Sequence, residues 1–274
     1  MPLYIATNVS SLHAQTNLGK TQNMMQTTFS RLSSGLRINS AADDAAGLGI
    51  SESMNAQIRS YAVAERNAND GISMVQTADG ATAQMSTMLA RLRELGVQAR
   101  NGSLQSADRA NLNTEFQALL QEMDRIVDTT KFNGIDLLKA TSNIKFQVGI
   151  TTAASDQIDV AFGGFTTADL TVAGTDVTTE ASAGTAIDAI DAAIANVNTK
   201  RAAFGAAMNR FQSTIGNIQS MKTNLSSANG RIRDADIAEE SAQMARNQVL
   251  SQAGASILTQ ANQAPQLALS LLKG

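Results

Sequence analysis

The chain has no cysteine and no tryptophan, and only two prolines and one histidine. Without cysteine there is no disulfide, no thiolate nucleophile and no cysteine-bound metal. A single histidine cannot build a histidine zinc site, and His13 falls on the polar face of the first expected helix, as a solvated or interface residue. No HExxH pattern occurs. Aromatic residues are 4% of the chain. Small apolar side chains each bury little area, at roughly 25 cal/mol per Å², so long, closely packed helices suit this composition better than one thick core. There is neither a long uninterrupted apolar run nor a charged-then-apolar leader at Met1, so no membrane insertion and no cleaved signal peptide are expected. The net charge is −3 without basic runs, which argues against nucleic acid. No catalytic constellation, cofactor site or metal site is expected.

What the chain does contain is helical rhythm. Ile5, Val9, Leu12, Leu18, Met25, Phe29, Leu32 and Leu36 form a narrow stripe mostly at steps of three, four or seven. Ala68 to Gly96 keeps close to a 3.5-residue period, predicting one helix from Ala45 to Arg100, with Gly71, Gly80 and Gly96 as soft points. A second helix is expected over Ala107–Thr129, and a third carries Ile187 to Ile218 without a slip and fades towards Ile232. The last segment, from Ile237, places Leu250, Ala253, Ile257, Ala261, Ala264, Ala268 and Leu271 on one seam, and Pro265 would kink or frame its last turns. Between the helices the period switches to two: Ile144–Ile150 and Ile158–Phe162 read as a β-hairpin. Residues 163–185, rich in Gly, Thr, Ala and Asp, read as a short exposed loop, with Leu170 and Val172 as weak strand signals.

Two crossings join the thin-striped ends to the centre. At the first, Gly35 is placed as a left-handed cap, Ser40 to Asp43 has capping-box form, and Asp44 adds charge in the first turn. At the second lie Gly230 and the acids Asp234, Asp236, Glu239 and Glu240, read as capping groups or as partners for Arg31, Arg37 or Arg231 of a neighbouring copy.

The whole stretch from Arg31 to Arg59 closely resembles bacterial flagellin. So do Arg66–Ser73, Leu92-Arg93-Glu94-Leu95, Phe132-Asn133-Gly134 and Ala261–Gln266, in flagellin order. The resemblance implies the subunit of the bacterial flagellar filament, a homopolymer, exported through the flagellar type III apparatus to the cell exterior. The expected fold is mostly α: a long-helix bundle with one β-hairpin, plus a terminal two-helix coiled coil. Residues 1–44 and 235–274 would form the inner core, and residues 45–234 the bundle. Self-assembly falls to Ile5, Val9, Leu12, Phe29, Leu32, Leu36, Leu250, Ile257, Leu267 and Leu271, and connector or inter-subunit contacts to Arg31, Arg37, Asp43 and Asp44. Ends this weakly apolar would be marginal alone and would order by packing on each other and on other copies. The resemblance also implies a secretion chaperone on the C-terminal segment, filament cap and hook–filament junction proteins as partners, and Toll-like receptor 5 binding the monomer through Arg91, Leu95 and Glu115. The alternatives are a hook–filament junction protein and, from another class, a carbohydrate-binding surface protein using residues 162–185.

Overall fold

The computed structural model describes residues 7–139 and 141–273, with side chains described as far as Gln263. Its elements are α1 (Val9–Ser34), α2 (Ala45–Ala99), α3 (Ser106–Thr129), β1 (Lys131–Phe132), β2 (Ile135–Asp136), β3 (Ser142–Gln147), β4 (Gln157–Phe162), α4 (Glu180–Arg233) and α5 (Ile237–Lys273). They separate into a terminal unit, Met1–Ala56 with Asn224–Gly274, and a central unit, Gln57–Thr223. The sequence suggested breaks at 44 and 235. The division instead falls inside α2 and α4, where no linker composition marks it.

In the central unit, α3 starts with the Gln105 N–H donating to Asp108 Oδ2 at 3.1 Å. Asn133 and Gly134, at φ 48° and 80°, make the two-residue turn between β1 and β2. β3 and β4 pair antiparallel from Ser142 with Phe162 to Gln147 with Gln157. Ile158, Val160 and Phe162 point inward on alternate positions. A two-stranded hairpin is marginal by itself, and aromatic contacts hold this one to α4. The Phe146 ring meets Phe211 edge-on at 5.3 Å, and Phe162 and Phe165 lie 5.6 and 6.2 Å from Phe204.

The stretch from Gly163 to Thr179 departs from the expected exposed loop. Phe165, Leu170, Val172 and Val177 are buried in the central core, and neither Leu170 nor Val172 lies in a strand. Helix side chains supply the hydrogen bonds a hairpin would otherwise provide. The Thr167 N–H and hydroxyl donate to Asp124 at 3.0 and 2.8 Å, and the Val177 N–H donates to Asn113 at 3.1 Å. Gln117 Nε2 donates to the Thr175 carbonyl at 2.8 Å, and Lys200 Nζ to that of Gly163 at 2.6 Å. α4 already begins at Glu180.

The glycines of α2 serve close approach more than softness. A Cβ on Gly71 would sit 2.6 Å from Phe211 Cζ, and one on Gly96 3.0 Å from Ile187 Cγ1, while Gly80 faces open space. Gly71→Ala should therefore lower stability by about 1–3 kcal/mol through overpacking. Gly80→Ala should raise it by up to about 1 kcal/mol through helix propensity. Urea unfolding of the two variants, compared with the parent chain, checks both signs.

Candidate functional site

The terminal unit is built on an antiparallel pair, α1 with α5. Asn8 caps α1, its Oδ1 accepting from the Ser11 N–H at 3.1 Å. Asn8 Nδ2 donates to the Ala261 carbonyl at 2.8 Å, and the Ser11 hydroxyl to Asn262 Oδ1 at 2.7 Å. At the other end Arg31 Nη1 meets Glu240 Oε1 at 3.1 Å. Among the less exposed residues, α1 carries Ser11, Ala14, Leu18, Thr21, Met25, Thr28 and Leu32 in one series and α5 carries Glu240, Met244, Asn247, Ser251, Gly254, Leu258 and Ala261, with Gly19, Arg31 and Gln243 beside them. Both sets step by threes and fours, a coiled-coil spacing. Leu18 packs where a Gly254 Cβ would stand, 3.3 Å from its Cδ1.

Leu32 and Leu36 are partly buried, but the apolar residues assigned to self-assembly mostly face away from this seam. Val9, Leu12 and Phe29 are 50, 62 and 62% exposed, and Val249, Leu250 and Ile257 are 65, 47 and 57% exposed. Over Ser251 to Leu258 the seam of α5 lies one residue along from the expected Leu250, Ala253 and Ile257, and the two coincide at Ala261. Ser251 and Gly254 leave room for side chains of α1, as Leu18 shows at Gly254. Ile5 lies outside the described residues, as do the side chains of Leu267 and Leu271. Helix α5 is assigned through Pro265 to Lys273.

The crossings are tied within the chain. Gly35, at φ 71°, closes α1 with its N–H on the Arg31 carbonyl at 2.8 Å. Leu36 bridges Asp234, and the Arg37 N–H donates to the Arg233 carbonyl at 2.6 Å. The Arg37 guanidinium donates to the Ile232 carbonyl at 2.6 and 3.3 Å. Asp43 does not cap α2. Its Oδ2 accepts from the Asn39 and Ser40 N–H groups and the Ser40 hydroxyl, closing a turn before the helix. Asp44 caps α2 instead, its Oδ1 accepting from the Gly47 N–H at 2.8 Å. Asp236 caps α5 through the N–H groups of Ala238 and Glu239. Arg31, Arg37, Asp43 and Asp44 thus all have partners in their own chain.

The second candidate patch lies in the central unit. Arg91 pairs with Glu115 of α3 at 2.8 Å and with Glu94 at 3.0 Å. The hydrogen bonds Arg91 donates to these carboxylates, Glu94 first, raise its pKa. Exposed pairs of this kind add little stability, so their value lies in fixing the guanidinium. Leu95 corrects the expected contact set. It is fully buried beside Leu92 and Ala99, because α2 buries a stripe wider than one seam where it packs in the core. The exposed apolar residue nearby is Val97. Neighbouring Arg93 reaches across to Asp191 of α4 with two bonds, 2.6 and 3.3 Å.

Among the described residues no group of three His, Asp or Glu side chains could hold a metal ion, and no helix is long and apolar enough to cross a membrane. What the geometry defines is a largely helical protein whose helices α1 and α5 pair thinly and leave apolar residues exposed.

The comparisons with known proteins agree. The bacterial flagellin N-terminal helical region matches residues 5–143, and the C-terminal helical region matches residues 187–272. The flagellin of Halalkalibacterium halodurans is 43% identical over 267 residues, covering 97% of this chain and 98% of that protein. The flagellin of Bacillus subtilis is 39% identical over 301 residues, at the same coverages. A solved structure of a protein described as flagellar hook-associated, from Vibrio parahaemolyticus, covers 70% of this chain and all of its own with a TM-score of 0.60. At 16% identity that likeness shows the fold alone. The chain belongs to the bacterial flagellins. It is a structural subunit of the flagellar filament, a helical homopolymer.

Hydrogen bonds hold the Asp43 carboxyl below the usual aspartate range, the Ser40 N–H first, then the Ser40 hydroxyl and the Asn39 N–H. A depressed carboxylate stabilises the fold above its unfolded pKa, near 3.9, and that contribution is lost as pH falls through the lower folded value. An NMR titration should place the Asp43 midpoint below that of an unstructured peptide. Asp43→Asn should remove the corresponding part of the acid dependence of stability.

Proposed function

We propose that the terminal unit is the polymerising part of this filament subunit, and that neighbouring copies cover its exposed apolar residues. The observation that carries this is the outward placement of Val9, Leu12, Phe29, Val249, Leu250 and Ile257 on a pair whose thin seam mixes small and polar residues with a few larger apolar ones. Burying each such side chain is worth about 1.5–3 kcal/mol. The seam alone offers little of that, and isolated helices are marginal in water. Folding of the ends is therefore coupled to association. By their positions in the sequence, Ile5, Leu267 and Leu271 join the same set.

The two strips also have a sense of direction. Counting about 100° per residue, Leu12 and Phe29 lie to one side of the α1 seam, and Leu250 and Ile257 to the other side of the α5 seam. In an antiparallel pair the same angular offset falls on the same face, so these two strips occupy opposite faces. A copy's α1 strip then docks on the next copy's α5 strip. Such heterologous contacts need not close, and they generate a filament.

For the remaining partners the support is resemblance to the family. The C-terminal segment is the docking site of a secretion chaperone during type III export. Filament cap and hook–filament junction proteins meet the assembled ends. Arg91 and Glu115 are contacts for Toll-like receptor 5 in the released monomer, without Leu95. No reaction is assigned to this chain.

Seeded growth with charge-bearing strips tests the assembly reading. Leu12→Lys with Phe29→Lys should stop growth, as should Leu250→Glu with Ile257→Glu, while circular dichroism stays that of the parent monomer. All four substitutions in one chain bring lysine to glutamate at each contact and should restore growth in part on seeds of the same variant. Unimpaired growth of either double variant would overturn the terminal unit as the polymerising part. Failure of both doubles and also of the fourfold variant would overturn the opposed-face arrangement.

A further inference from the structure

The chain carries three Asn–Gly pairs, Asn101-Gly102, Asn133-Gly134 and Asn229-Gly230, and their surroundings differ. Asn101 stands in the turn after α2. Its side-chain Oδ1 accepts from the Ser103 N–H at 3.2 Å. Its main-chain carbonyl accepts from Arg109 Nη2 at 3.0 Å and from the Leu104 N–H at 3.2 Å. Arg109 is held there by a second bond, Nε to the Ala99 carbonyl at 2.9 Å. The N–H of Gly102 has no acceptor among the described residues, and a Cβ on Gly102 would meet nothing within 4 Å.

We infer that Asn101 is a self-modification site, converting through a succinimide mainly to isoaspartate, with Ser103 and Arg109 each polarising one of the two carbonyls involved. In the first step hydroxide removes the Gly102 amide proton and the nitrogen attacks Asn101 Cγ. A Cγ–N bond forms, the Cγ–Nδ2 bond breaks, and Nδ2 takes a proton and leaves as ammonia. The Ser103 N–H already donates to the oxygen on which negative charge develops. In the second step water opens the five-membered ring. Addition at the main-chain carbonyl carbon breaks its bond to the Gly102 nitrogen. The chain then runs through the former side-chain carbon and a free α-carboxylate remains. That is the carbonyl Arg109 donates to, so the guanidinium both polarises it and pairs with the carboxylate produced. Addition at Cγ, which gives ordinary aspartate, has no such cation.

The other two pairs lack this arrangement. Asn133 is held at φ 48° between paired strands, and among the described residues nothing donates to its side-chain carbonyl. Asn229 lies inside α4, where the helix occupies the Gly230 N–H, and its Nδ2 donates to Asn55 at 3.2 Å. The product at Asn101 would add a negative charge and a backbone methylene to the α2–α3 turn, a mark that accumulates with the age of the molecule.

The test is incubation of the full-length folded chain at mildly alkaline pH, with peptide mapping by mass spectrometry and an isoaspartate-specific methylation assay. A synthetic peptide spanning Gln98 to Leu104 serves as the unstructured control. Asn101 should convert roughly tenfold ahead of Asn133, a barrier difference of about 1.4 kcal/mol, and Asn229 should remain intact longest. The isoaspartate share should be higher in the folded chain than in the peptide. Arg109→Lys, which keeps a cation but loses the two-point hold, should bring that share towards the peptide value. Conversion of Asn133 at or ahead of the rate of Asn101 would overturn the site. An equal isoaspartate share in folded chain and peptide would overturn the role of Arg109, whether or not the variant folds.

Discussion

Close approach of two helices over small residues is the constraint on which the terminal unit depends. Ser11, Thr21 and Thr28 on α1 and Asn247 on α5 are buried, and Leu18 packs on Gly254. A seam of this kind lets backbones come near and offers hydrogen bonds at its ends, at Ala261, Asn262 and Glu240. It removes little apolar area from water, so it defines a geometry more than it supplies stability. Leu18, Met25, Leu32, Met244 and Leu258 stand in its register, while Leu12, Phe29, Leu250 and Ile257 fall outside it and are turned outward. Exposure of these residues is thus a consequence of how the pair is joined.

Helix ends were legible in the sequence to within a residue or two where a cap and the apolar period mark the same place, whereas α4 starts at Glu180, inside the stretch read as loop. Gly35, the Asn101–Ser103 turn and Asp234–Asp236 each stand beside an end that the apolar rhythm also predicts. Which face of a helix lies inward was less legible. Leu250 and Ile257 attract the seam assignment because large apolar residues are ordinarily inside, yet the contact lies on Ser251, Gly254 and Leu258. Leu95 errs in the opposite direction: beside a seam already filled by Leu92 it reads as surface, and packing from a second side buries it. One-dimensional period gives the angle between residues, while the number of neighbours around a helix decides how wide the buried stripe is.

Residues 163–179 show a different limit. Their composition of Gly, Thr and Asp is that of a solvated loop, and the rule behind that reading is sound: buried backbone must be hydrogen-bonded. Here the partners are Asp124, Asn113, Gln117 and Lys200, contributed by α3 and α4 from distant parts of the chain. No local pattern announces such a partner. The four apolar residues Phe165, Leu170, Val172 and Val177 were the available sign, since their irregular spacing fits neither strand nor helix but is compatible with burial of an irregular segment.

Phenylalanine separates the two units more sharply than total hydrophobicity does. Seven of the eight lie in the central unit, Phe116, Phe132, Phe146, Phe162, Phe165, Phe204 and Phe211, and all seven belong to its core or pack against it. They join the hairpin, the irregular segment and α4 by direct ring contacts. Helix α2 leaves room for one of these rings at Gly71. The eighth, Phe29, belongs to the terminal unit and is exposed. A chain with few aromatics has placed nearly all of them where a fold must be self-sufficient. The single exception stands on a helix whose own partner cannot cover it. Large rings bury more area per residue than any other side chain. Under the proposed assembly, their distribution separates the part complete within one copy from the part that another copy covers.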